Sequence, residues 1–574
     1  MALRKKGLFV GYAGARVGST EPHDLHDGAG VVLGKLFERP GNSPSTAAPL
    51  TLNESRTRAI MASHGRQLVD RYWGRYVAFL HDDAAKTSWV LRDPSGGLPC
   101  LSVRFGGVRI YFSAIGDIQQ LGLGPFDVNW GYLTAWVCVM RGHSQSTALR
   151  EVSQVLAGEC LELRDDVATS TFYWDALRIA STNIIEDPDE AASALRDSVV
   201  DSVGAWASSY SGIALSLSGG LDSSIVYAAL RDSPAKEKLT CFHYYLTDGD
   251  MDERRFARFV ARSGNSDLIE RYRESTVSLD PLLDLEASPE PTTYLYYIER
   301  SRLDAQIAVE HEATTVFTGW GGDQLFYRHN AALGASDYLH NRGMRPEFLR
   351  VAFDAAHMDR ASVWHVLGEA FAHRFQQRRW SFRDDVVRSR PLIRPEVIDD
   401  VYASASYGHP LFGDTRGIPE GKLWHALQMS CPAEYYDPMG RDDDPERVAP
   451  LYSQPVLELC LRLPVYLLTL GGWDRAIARR AFYDALPQEV ANRKEKGAIE
   501  VHCRHVVDHN ITFIRELLLD GALVKEKVVD RNRLVTALSG KVSQTQSTAG
   551  EILDFVSAEA WCRGWSNQGW RAAA

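Results

Sequence analysis

Ile213-Ala214-Leu215-Ser216-Leu217-Ser218-Gly219-Gly220-Leu221-Asp222-Ser223-Ser224 reads as a strand, a glycine turn and the entry to a helix predicted over Ser223 to Leu230. Glycines let a backbone approach an anion closely and expose its N–H groups. The helix N-terminus adds unpaired N–H groups and a partial positive charge. Hydroxyls at Ser218, Ser223 and Ser224 supply further donors. A turn of this kind suits a phosphate or pyrophosphate. Asp222 would be repelled by a bare phosphate, so its best role is to hold Mg²⁺ against the phosphates. The segment lacks the Gly-Lys-Ser/Thr of a Walker loop, and its glycine spacing is not that of a dinucleotide fingerprint. The plainer alternative is a strand-to-helix turn with glycines and a serine cap.

A second segment has the same build. Thr314-Thr315-Val316-Phe317 reads as a strand running into Thr318-Gly319-Trp320-Gly321-Gly322-Asp323-Gln324-Leu325-Phe326. In a doubly wound sheet, ligands bind at the carboxyl ends of strands. Two such turns can face one site, where Asp222 and Asp323 would share Mg²⁺ bridging the phosphates. The competing reading of Asp323 is a helix N-cap.

Outward from these turns the chain divides. Leu8–Val10, Tyr76–His81, Ser88–Leu91, Val108–Ser113 and Leu161–Leu163 are short β-rich runs between Gly, Pro and Asp clusters, and Pro40–Thr51 reads as a loop. At Glu186-Asp187-Pro188 a helix start appears, followed by Ala192, Leu195, Val199 and Val203 at helical spacing. The boundary therefore falls near 176–186, giving one domain over 1–180 and a second over 181–574. Strands then alternate with helices, which implies a parallel sheet covered on both faces. From about residue 345 the pattern is largely helical. The fold class is α/β.

Composition narrows the function. The 574 residues carry a formal charge of −11, without the basic stripe of a nucleic-acid binder. The eight cysteines form no CxxC pair, which favours reduced thiols in a cytoplasm over a zinc or redox motif. Cys503, between His502 and His505, reads as an ordinary core or surface residue. The longest apolar stretch, Tyr132–Met140, is far short of a membrane span. Arg4, Lys5 and Lys6 precede an apolar run too short for a signal peptide, so it reads as a first strand.

Together the two turns resemble the asparagine synthetase superfamily, whose Ser-Gly-Gly-x-Asp-Ser loop binds the pyrophosphate of ATP. Trp73-Gly74-Arg75-Tyr76-Val77-Ala78-Phe79, Arg92-Asp93-Pro94-Ser95-Gly96, Tyr111-Phe112-Ser113 and Phe172-Tyr173-Trp174 look like landmarks of its N-terminal glutaminase-type (Ntn-type) β-sandwich, and Asp252-Glu253 matches an acidic pair in its synthetase half. The resemblance implies an adenylating ATP-pyrophosphatase domain. ATP would sit on Ser218, Gly219, Gly220, Asp222, Ser223 and Ser224, with Gly319 and Gly321 in the second turn, and Asp222 and Asp323 would hold Mg²⁺. The family's glutaminase nucleophile is a cysteine exposed after Met removal. Ala2 stands there, and alanine offers no nucleophile. A vestigial glutaminase-like domain is the expectation, with the amine brought by the substrate. Trp320 replaces the family's glutamate or tyrosine and cannot titrate near neutrality, so it reads as a pocket wall.

Pro450-Leu451-Tyr452-Ser453-Gln454-Pro455, Leu461-Arg462-Leu463-Pro464, Gly471-Gly472-Trp473-Asp474-Arg475, Arg479-Arg480-Ala481-Phe482, Arg493-Lys494-Glu495-Lys496-Gly497 and Arg92 to Cys100 look like the lasso peptide cyclases. Those enzymes adenylate an Asp or Glu side chain of a precursor peptide, and the peptide's own N-terminal amine closes a macrolactam. The resemblance implies a precursor peptide substrate, a leader-binding protein and a leader peptidase. It also makes Lys496 the catalytic lysine, acting beside Asp222 and Asp323 by placing a fixed cation where phosphate charge builds up. Arg475, Arg479 and Arg480 read as a helix face, with substrate contact as the alternative. Two other readings stay open: an amide synthetase acting on a small molecule, and a non-catalytic scaffold of a peptide-maturation complex.

Overall fold

The computed structural model describes residues 3–5, 8–12, 22–39, 50–139, 144–165, 167–245, 252–273, 277–284, 287–292, 298–328, 330–375, 382–404, 408–430, 445–494, 499–539 and 546–571. Among the landmarks of the sequence, Ala2, residues 40–49, Cys431 and Glu495-Lys496-Gly497 lie outside these.

The N-terminal part is built from two main antiparallel sheets, beside the two-stranded antiparallel pair Leu3–Lys5 and Leu8–Val10. The larger has the strand order Val167–Phe172, Glu159–Arg164, Thr87–Arg92, Tyr72–Asp82, Gly30–Glu38, Pro22–Asp24. The smaller has the order Val108–Phe112, Leu101–Phe105, Val152–Gln154. Val77, Val90 and Leu161 of the first meet Cys100, Val155 and Tyr111 between the sheets, which makes a sandwich. The Arg92-Asp93 landmark serves this architecture. Buried Arg92 donates to the carbonyls of Leu98, Gly96 and Val155 at 2.7, 2.7 and 2.8 Å. Asp93 accepts from the backbone of Tyr76 and Ser95. Both charges are thereby paired inside the fold, as buried charges must be.

The second part holds a five-stranded sheet in the order Leu268–Tyr272, Leu239–Tyr245, Ile213–Ser216, Thr315–Phe317, Glu446–Val448, parallel throughout. The chain runs outward from Ile213–Ser216 to one edge, then returns to lay Thr315–Phe317 on the other side. This reversal is the topological switch point at which open α/β sheets bind ligands. The helix entered at Asp187 spans Pro188–Ser208 and buries the four residues whose spacing predicts it, Ala192, Leu195, Val199 and Val203. Asp187 caps it through the N–H groups of Asp189 and Glu190. Truncating Leu195 to alanine in that packed face would cost about 2–5 kcal/mol.

The two parts share a core. Phe37 and Trp73 of the sandwich pack against Trp206 of this helix, with Phe37 and Trp206 ring centres 5.1 Å apart. Arg75 crosses to Glu446 at 3.2 Å and to the Arg447 carbonyl at 2.9 Å. The linking stretch is fastened as well: Ile185 donates to the Arg462 carbonyl, and Arg462 donates back to Asn183. Beyond residue 345 the described structure is helical except for Glu446–Val448. Of the apolar run Tyr132–Met140, the described residues lie in the core helix Trp130–Val139. No single helix among the described residues is long and apolar enough to cross a membrane. The bent pair Gln454–Arg462 with Val465–Gly472, which passes by composition, lies in the core.

Candidate active site

The two glycine turns follow neighbouring strands and interlock. The first helix begins at Leu221, two residues before the start expected from sequence, with Gly220 as its N-cap. Ser218 and Ser223 tie the turn together through their hydroxyls at 3.0 Å, and the Ser218 N–H donates to Ser223 Oγ at 3.2 Å. Ser224 is fully buried, and its hydroxyl donates to the Gly220 carbonyl at 2.7 Å. In this arrangement Ser224 holds the loop's shape.

The glycines are required by contact. Gly219 has φ +74, and a Cβ there would stand 2.6 Å from the Ala257 nitrogen. A Cβ on Gly319 would lie 2.8 Å from the Asp222 carbonyl carbon and closer still to the Ser223 nitrogen. A Cβ on Gly322 would run into the Asp222 carboxyl. The second turn can therefore press against the first only because it is made of glycine. Asp323 lies in the first turn of Gly322–Leu325, whose N-cap is Gly321 at φ +89, so Asp323 is not the cap. Trp320 lies against Tyr452 with ring centres 5.3 Å apart, and Tyr452 is anchored by its hydroxyl to the Met429 carbonyl at 2.7 Å.

Asp222 and Asp323 do converge, and the group between them is Arg475. Its Nη1 donates to Asp222 at 2.9 Å and to Asp323 at 3.0 Å, while Nη2 reaches Asp474 at 2.7 Å. The helix-face reading of Arg475 is therefore corrected. The residue sits before the helix Ala476–Phe482 in the left-handed conformation, φ 55, and this turns its side chain inward to 7% exposure. Arg479 closes the other side of Asp474 at 2.7 Å, and Arg328 reaches Asp323 at 3.1 Å. Only Arg480 faces outward, paired with Asp189.

Three aspartates thus meet three arginines. Burial pushes the Asp474 carboxyl upward, but Arg475 and Arg479 outweigh it and hold it below the usual carboxylate range. Burial pulls the Arg475 guanidinium downward, and Asp222, Asp474 and Asp323 together raise it above its ordinary value. The basic segment after residue 490 reaches the same place. Arg493 donates to the Gly219 carbonyl at 3.3 Å, pairs with Glu253 of the acidic pair, and lies 4.0 Å over the Phe256 ring. All seven described cysteines are buried. Among the described residues no group of three or more His, Cys, Asp and Glu side chains could hold a metal.

Sequence comparison fits this arrangement. A family model described as asparagine synthase matches residues 194–563, which include both turns, Arg475 and the basic segment. The chain belongs to the asparagine synthase family. Membership makes it an ATP-dependent amide-forming ligase. No match is found among curated proteins. Among solved structures, a glutamine-dependent NAD+ synthetase from Acinetobacter baumannii in complex with adenosine diphosphate matches at 13% identity over 61% of this chain and 81% of that one. Its TM-score of 0.19 is too low to bear on the fold.

Proposed function

We propose that this chain is a lasso peptide cyclase that adenylates an Asp or Glu side chain of a precursor peptide and closes a macrolactam with the peptide's N-terminal amine. The observation that carries the ATP half of this reading is the convergence of Asp222 and Asp323 at the switch point of the parallel sheet. The donor set fits Mg²⁺: two hard carboxylates come within reach of one cationic nitrogen, and Mg²⁺ binds through one or two carboxylates plus phosphates. Asp222 and Asp323 would hold the ion, which supplies charge neutralisation at the phosphate oxygens when bound.

The chain's own residues account for the rest. The Ser218–Ser223 turn offers backbone N–H groups to pyrophosphate. A substrate carboxylate oxygen attacks the α-phosphorus, the bond to the β,γ-pyrophosphate breaks, and acyl-adenylate and pyrophosphate form. The amine nitrogen then attacks the acyl carbon, AMP departs with the bonding pair, and the amine loses a proton. Attack within one peptide is effectively unimolecular, so positioning supplies much of the second step. Arg493, which reaches the Gly219 carbonyl, carries the basic segment to the loop. On this reading Lys496, a little further on, stabilises the phosphate charge. The peptide half rests on the likeness of the segments at 450–455, 461–464, 471–475 and 493–497 to peptide cyclases. A leader-binding protein and a leader peptidase would be its partners.

The test uses ATP, Mg²⁺, a leader-freed core peptide and the accessory proteins. The product should be lighter by one water, with AMP and pyrophosphate released. Acetylating the peptide N-terminus should stop cyclisation, and Lys496→Ala should slow pyrophosphate release. Formation of ADP, or loss of water from the acetylated peptide, would overturn the proposal.

A further inference from the structure

Beside the aspartate–arginine network lies a cavity of about 690 Å³. Three distant stretches wall it: the helix Glu347–Met358 with the turn after it, Gly472 to Asp474, and Lys494. The junction is tightly made. Gly472 has φ +70, and a Cβ there would stand 2.9 Å from His357 Cδ2. The Gly471 N–H donates to Asp354 at 2.9 Å.

One wall of the cavity is Asp474, the residue that grips Arg475 and Arg479. The cavity thus shares Asp474 with the network that reaches Asp222 and Asp323 through Arg475. Lys494 Nζ donates to His357 Nε2 at 3.2 Å and lies 4.5 Å over the Trp473 ring. Phe353 is 58% exposed, and Leu349, one turn earlier on the same helix face, is 52% exposed. Lys494 and Arg360 place positive charge around this apolar surface on a chain whose net charge is −11. The volume lies in the range that encloses a drug-sized ligand, far beyond a lone aspartate.

We infer that this cavity binds a peptide segment in which a large apolar side chain neighbours the carboxylate to be activated. Phe353 and Trp473 take the apolar side chain. Lys494 and Arg360 draw in the carboxylate, on the wall that Asp474 shares with the aspartate–arginine network. The inference rests on the reading that the chain activates a peptide carboxylate, and it adds a side-chain preference to that reading.

Saturation-transfer NMR on the full chain tests it with three probes: acetyl-Trp-Gly-Glu-amide, its Gln analogue and its Ala analogue at the Trp position. The parent probe should bind. Each analogue should bind about tenfold more weakly, and so should the parent probe with Phe353→Ser or Lys494→Met. Both substituted positions are exposed, so the fold survives their replacement. Absent binding of the parent probe, equal affinity for all three probes, or wild-type affinity in both variants would overturn the inference. The two proposals fail separately. Selective binding without pyrophosphate release from any peptide would defeat the cyclase reading and leave the pocket. Peptide-driven pyrophosphate release whose KM ignores both substitutions would defeat the pocket and leave the reading.

Discussion

Arg475 Nη1 donates to Asp222 at 2.9 Å, across 253 positions of sequence. The same nitrogen donates to Asp323. A guanidinium that stays protonated at any ordinary pH thus lies between the two carboxylates best suited to a divalent cation. The pair is held ready in shape while its charge is already answered.

Removing that charge should expose the pair. Arg475→Met should bind Mn²⁺ in the absence of ATP about tenfold more tightly than the wild type, while Arg475→Lys should stay near the wild type. Electron paramagnetic resonance of free Mn²⁺ reads the difference directly. Equal Mn²⁺ affinity in all three proteins would show that Arg475 does not compete for the carboxylates.

Asp222→Asn and Asp323→Asn should each lower pyrophosphate formation about a thousandfold, since each removes a charge aimed at the phosphates. Arg475 keeps two of its three acidic partners in either variant, so stability should fall by only about 1–3 kcal/mol. Pyrophosphate release and circular dichroism on the same samples separate the two effects. Near-normal turnover in either variant would exclude that residue from the ATP site.

Gly319→Ala puts a methyl group against Ser223 and Asp222. The turns must part, at a cost of about 1–3 kcal/mol, and ATP-dependent turnover should fall with them. Gly116 meets nothing within 4 Å, so Gly116→Ala should leave both stability and turnover unchanged. Thermal unfolding and turnover compared across the pair decide the matter. An unaltered Gly319→Ala protein would mean the turns are not in contact.

Asp337 makes stability depend on pH. Burial pushes its carboxyl from the ordinary 3.8 to about 7, against the opposing pull of the Gly421 N–H and Lys422. The folded state therefore holds a proton that the unfolded chain has already released. The stabilising contribution is fully present below the unfolded value and is lost as pH rises to about 7. Burial lowers the Lys422 ammonium to about 8, so its own effect falls in a higher window. Asp337→Asn should gain on the wild type in melting temperature between pH 4.5 and pH 7.5. A constant difference across that range would refute the assignment.

The turns were legible because strand, glycines and helix entry are contiguous in sequence, and a second copy of the pattern implied a shared site. The helix Pro188–Ser208 was legible because Asp187-Pro188 and the spacing of its apolar residues are local signals. Arg475 was not. Its position ahead of Arg479 and Arg480 imitates a helix face, and only its left-handed φ of 55 redirects it inward. Ser224 shows a subtler limit: a hydroxyl in the first turn of a helix can reach outward or bond back to its own backbone. The cavity at Phe353 and Lys494 joins residues from three stretches of chain, and no local pattern announces such a meeting.

The contact from Arg75 to the Arg447 carbonyl governs how the molecule comes apart. Glu446–Val448 is one of the two edge strands of the parallel sheet, and such an edge invites pairing with other chains. The sandwich blunts that edge. A fragment starting at Pro188 would leave it bare, along with the apolar face of Trp206, and should aggregate rather than fold. Heating the intact chain should melt both halves in one calorimetric transition, because neither half has a complete surface of its own.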